Sequence, residues 1–94
     1  MQYTTEQIAK YLKEFRVYKG KVESGLATDS ICQDVERLEK SISVLPENDY
    51  HIIRLLFFEN KSYAEVARRF GYSKTGMYKR VKVVEKAIAS IMSD

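Results

Sequence analysis

The chain has 94 residues, 45% hydrophobic and 31% charged, with four Gly, one Pro and a formal net charge of +3. That length makes one small domain, or a compact domain with an appended helical hairpin, and so little Pro and Gly disfavours the many turns of a β-sandwich. Cys32 and His51 are each alone, which excludes an internal disulfide, a thiolate zinc cluster and a histidine-centred metal or catalytic constellation.

The first predicted helix opens at Thr4, with Gln7 at the offset of a capping box. Ile8, Leu12, Phe15 and Val22 share one face, flanked by Tyr11 and Tyr18, and the helix is expected to end within 20–26, around Gly20 and Gly25. The second opens near Ser30, again with Gln33 three residues on. Ile31, Val35, Leu38, Ile42 and Leu45 then form a heptad seam two heptads long. Such a seam either packs an antiparallel hairpin against the rest of the fold or makes a homodimer surface. Cys32 falls on this helix as a small, half-buried residue.

Pro46 marks a fresh start, because proline suits the first turn of a helix. Glu47 and Asp49 follow, where acidic groups favour the positive end of the helix dipole. Ile52, Ile53, Leu55, Leu56, Phe57 and Phe58 make this the most apolar segment, so it is predicted to be the buried central strut. After a polar turn at 59–61, Ser62 and Glu65 supply a third capping box. The helix over 63–70 should turn Tyr63, Val66, Ala67 and Phe70 inward and leave Arg68 and Arg69 outside.

Gly71 falls where this helix should stop, at a position that often takes the left-handed conformation. Ser73 is placed to cap a last helix over 74–91. Met77, Val81, Val84, Ile88 and Ile91 are its expected buried face, while Thr75, Tyr78, Lys79, Lys82 and Lys86 lie opposite. Gly76, in the first turn, either permits close approach of the backbone to a groove or phosphate, or is merely tolerated. Two helices so joined form a helix-turn-helix pattern.

The charge supports this placement. Residues 1–45 hold seven basic and seven acidic residues, whereas 68–86 hold seven basic residues against Glu85 alone. A basic block on a folded element is the electrostatic footprint of a phosphate-backbone partner. The acidic residues are otherwise interleaved with Lys and Arg on helix faces, which predicts solvation and no acid–base catalysis. The expectation is therefore a binding protein with no cofactor, not an enzyme. No run approaches the ~20 apolar residues of a membrane span. The stretch MQYTTEQIAKYLKEF lacks the apolar core of a signal peptide, so a cytoplasmic location is expected.

The segment LPENDYHIIRLLFFENKSYAEVARRFGYSKTGMYKRVKVVEKAI, residues 45–88, resembles region 4 of bacterial sigma factors and the small regulators that reuse it. The Leu-Pro-Glu opening, the apolar helix, the Ser-Tyr-x-Glu-Val-Ala start and the Gly-x-Ser turn carry the likeness. Met77 departs from the β-branched residue usual there, and Gly76 from the usual polar residue. Residues 1–44 do not resemble a promoter-melting region, being short, without tryptophan and without net positive charge. The resemblance thus implies a stand-alone transcription regulator of the phage or prophage type.

The predicted elements together make an all-α fold of four to five helices: an N-terminal hairpin over 1–44, then a helix-turn-helix domain over 45–94, the part that the resemblance covers. The last helix would be the recognition helix, lying in the major groove of double-stranded DNA. By position, Ser73, Lys74, Thr75, Tyr78, Lys79 and Lys82 would meet the DNA, with Arg68 and Arg69 on its backbone. Arg80 has two readings, a DNA contact or an ion pair with an acidic residue such as Glu47 or Glu65. RNA polymerase is a further implied partner. Two other functions fit the same pattern: the DNA-recognition subunit of a phage packaging or recombination assembly, and an adaptor that binds RNA polymerase.

Overall fold

The computed structural model describes residues 2–94, all-α and without a strand among them. Six helices follow in order: α1 (Thr5–Lys13), α2 (Phe15–Glu23), α3 (Asp29–Ser43), α4 (Glu47–Ile53), α5 (Tyr63–Phe70) and α6 (Lys74–Ser93). A π-helical turn, Arg54–Phe58, extends α4. No helix is long and apolar enough to cross a membrane.

The capping box at Thr4 is present in both directions. Gln7 N donates to Thr4 Oγ1 at 3.1 Å, and Thr4 N donates to Gln7 Oε1 at 2.8 Å. The single first helix of the sequence reading is broken, however, at Glu14, whose φ of −106° and ψ of 18° leave the helical region. Neither Pro nor Gly stands there, so the cause is tertiary. The break lets Phe15 stack on Phe58, with centroids 4.5 Å apart, while Arg16 donates to the Phe58 carbonyl at 3.1 Å. The α2 helix then ends at Ser24 and Gly25, within the expected range.

The cap of α3 is Thr28, not Ser30: Ile31 N donates to Thr28 Oγ1 at 3.2 Å. Starting there puts Asp29 in the first turn, where its charge favours the helix dipole. Of the seam, Val35, Leu38, Ile42 and Leu45 are buried and Ile31 is half-buried, as is Cys32. The seam is therefore packed within the chain's own core. Asp34 ties α3 to α1, accepting from the Tyr3 and Tyr11 hydroxyls at 2.6 Å each. Burial first, then this bond to a carboxylate, raises the Tyr11 phenol far above its ordinary pKa, so it stays a donor.

Pro46 stands just outside α4, as its flanking residue, and the helix begins at Glu47. Ile52, Ile53, Leu55 and Leu56 are buried, with Phe57 and Phe58 half-buried. The segment widens at its end: Glu59 N donates to the Arg54 carbonyl at 2.9 Å, an i→i+5 bond. Asn60 at φ 56° completes the exit from the helix.

Two apolar clusters share α6. Near its start, Met77 and Val81 pack with Val66 and Ala67 of α5 and with Ile52, Leu55 and Leu56. Further along, Val84, Ile88, Ala89 and Met92 pack with Ile8 and Leu12 of α1 and with Leu38 and Ile42 of α3. Ile91, expected inside, is 37% exposed, and Met92 takes its place at 3%. The heptad spacing 77, 81, 84, 88, 91 drifts by ~20° per heptad on a straight helix, which carries the buried stripe from 91 to 92.

Candidate nucleic-acid interface

The α5 helix ends on Gly71, at φ 78° and ψ 24°. Tyr72 N donates to the Ala67 carbonyl at 2.8 Å, and Gly71 N reaches the Arg68 carbonyl at 3.4 Å. This is the Schellman pattern, in which a left-handed residue closes the last turn and satisfies its free carbonyls. Ser73 then caps α6, its Oγ accepting from Gly76 N at 3.0 Å. A Cβ built on Gly76 would stand 3.0 Å from that same Oγ and 3.6 Å from a ring carbon of Tyr72. The glycine thus leaves room for the Ser73 cap, whereas the Tyr72 ring would be in ordinary contact with a Cβ.

Ala67, 2% exposed, and Val66 meet Met77 and Val81 across the two helices. That contact fixes which side of α6 faces water. Ser73, Lys74, Thr75, Tyr78, Lys79, Lys82 and Lys86 are all exposed, as are Arg68 and Arg69 at the end of α5. Every candidate DNA-contacting residue therefore lies on the surface around one turn and the helix that follows it. Lys74, Lys79, Lys86, Arg68 and Arg69 take part in none of the ion pairs among the described residues. Their charge is free for an external anion.

Arg80 is different. Its Nε and Nη2 donate to the two Asp49 carboxylate oxygens at 2.9 and 2.7 Å, a bidentate pair joining α6 to the first turn of α4. The Arg80 side chain keeps 37% of its exposure and Asp49 only 9%. The ion-pair reading of Arg80 holds, but its partner is Asp49 rather than Glu47 or Glu65. The bond to Asp49 raises the guanidinium further above its already high pKa.

Two features escaped the sequence reading. The Tyr78 ring stacks on Tyr63 of α5, with centroids 4.3 Å apart and planes 20° off parallel, while 48% of Tyr78 stays exposed. Glu85, the acidic residue of the basic block, is 4% exposed, and its Oε1 has no hydrogen-bond partner. Its position, four residues after Val81 and three before Ile88, marks it as belonging to the buried face.

Burial raises the Glu85 carboxyl above its ordinary pKa, against a smaller opposing pull from Lys82, whose ammonium is 4.0 Å away. Below the ordinary carboxyl range near 4.3 the group is neutral in folded and unfolded chains alike and carries no penalty. As pH rises through the raised folded value, the buried charge develops and stability falls. Glu85→Gln keeps a buried polar group but removes the charge, so it should raise the unfolding free energy at pH 7. The gain should vanish near pH 4 in urea titrations, and an equal gain at both pH values would contradict the assignment.

Comparison with protein-family models, with curated proteins and with solved structures finds no match to this chain.

Proposed function

We propose that this chain is a sequence-specific DNA-binding transcription regulator, in which α5, the turn at 71–73 and α6 act as a helix-turn-helix with α6 in the major groove. The observation that carries the reading is the one-sided surface of α6. Its inner face is held in the core by Met77 and Val81, while Lys74, Thr75, Tyr78, Lys79 and Lys82 stand together in water. The resemblance to sigma factor region 4 supports the same reading and favours a stand-alone regulator of the phage or prophage type.

In this reading Arg68 and Arg69 hold phosphates, and the Ser73 cap sets α6 at its entry angle. Lys74 or Lys79 reaches guanine acceptors, Thr75 meets a thymine methyl, and Tyr78, stacked on Tyr63, reads a base. Arg80 takes no part, being bound to Asp49. The internal burial of the α3 seam favours a monomer held at its site by further contacts, RNA polymerase among them.

A salt titration tests the phosphate contacts. If Arg68, Arg69, Lys82 and Lys86 neutralise four phosphates, log K should fall with log salt at a slope of about −3.6. Lys86→Ala should flatten that slope by about 1 and leave the unfolding free energy within ~0.5 kcal/mol, as befits an exposed side chain. A slope near zero, or a large loss of stability in the variant, would overturn the assignment.

A further inference from the structure

Glu85, whose Oε1 has no hydrogen-bond partner, lines a cleft of about 360 Å³ between α1, the π-helical turn, α5 and α6. That volume lies in the range of small-molecule sites. Its walls include Phe57 and the stacked rings of Tyr63 and Tyr78, and two lysines, Lys13 of α1 and Lys82 of α6, stand on its lining. Buried polar atoms are nearly always hydrogen-bonded, so an orphan carboxylate oxygen asks for a donor. Within the chain the nearest cation, Lys82 Nζ, is 4.0 Å away, beyond hydrogen-bond reach, on a side chain 74% exposed.

A carboxylate beside aromatic rings suits an ammonium group, which gains a charge-assisted bond and cation–π attraction together. The lysines oppose a simple cation and would instead hold an anionic group. We propose that this cleft binds a small amphoteric molecule, an α-amino acid with an apolar side chain: its ammonium donates to Glu85, its carboxylate faces Lys13 and Lys82, and its side chain lies on Phe57, Tyr63 and Tyr78. This site does not depend on the DNA-binding reading, although it shares Tyr78 and Lys82 with it.

The test is an NMR titration of the isotope-labelled chain at pH 7, without DNA, using L-phenylalanine as the probe. Phenethylamine, which lacks the carboxylate, and 3-phenylpropionate, which lacks the amine, are its matched controls. L-Phenylalanine should bind saturably and shift the amides of residues 57, 63, 78 and 85. Phenethylamine should bind several-fold more weakly, and 3-phenylpropionate should not bind. Glu85→Gln, an isostere that keeps the fold, should weaken L-phenylalanine by about tenfold, the scale of one lost charged hydrogen bond. The proposal is overturned if L-phenylalanine gives no saturable shifts, if Glu85→Gln binds it as well as the parent, or if either control matches it.

Discussion

Replacing Arg80 with alanine should lower the unfolding free energy by about 2–3 kcal/mol, because it strands a buried carboxylate. Asp49 keeps 9% of its side-chain exposure and has both oxygens bonded to the guanidinium. Without that partner the carboxylate retains its desolvation and loses its bonds. Asp49→Ala should cost less, about 1–2 kcal/mol, since the guanidinium is 37% exposed and can turn to water. Arg80→Lys should fall between, as an ammonium keeps the charge but not the bidentate geometry. Urea unfolding of the three variants checks the order, and Asp49→Ala more damaging than Arg80→Ala would contradict it. Under the proposed function, weaker DNA binding by Arg80→Ala would then report a loosened α6 rather than a lost contact.

The second large effect is expected at Ile88, fully buried where α6 meets α1 and α3. Ile88→Ala should cost 2–5 kcal/mol, the range for a large-to-small change in a packed core. Single domains are stable by only about 5–15 kcal/mol, so the loss is a large share of the total. Ile88 is far along α6 from the surface that carries Lys74, Thr75 and Lys79. If α6 reads DNA as proposed, the variant should therefore bind it as the parent does wherever it remains folded, for example at low temperature. Calorimetric melting with binding measured well below the midpoint separates the two. A loss below 1 kcal/mol would mean that α1 and α3 are not packed on α6 as described.

What the sequence showed of this fold follows from where the cause of each feature lies. Caps and turns at Thr4, Ser62, Ser73 and Gly71 were legible because they depend on a few adjacent residues. Thr28 was missed because Ser30, two residues on, offers a competing box with Gln33, and local chemistry alone does not rank them. The break at Glu14 and the π-helical turn at 54–58 have no local signal. They arise where Phe15 and Phe58 meet, 43 positions apart in sequence. The exposed residues of the candidate interface follow from the period of α6, whereas the fates of Arg80 and Glu85 depend on which distant side chains face them. The period alone put Ile91 inside, because it was read as a strict heptad on a helix that does not supercoil.

Selection of bound duplexes from a random DNA pool tests the central claim most directly, run in parallel on the chain and on Lys79→Ala with Thr75→Ala. The parent should enrich one short motif, and the double variant, equally stable, should lose discrimination at the positions that α6 is proposed to read while keeping salt-dependent binding. Recovery of no motif by the parent, or of the same motif at full strength by the double variant, would contradict it.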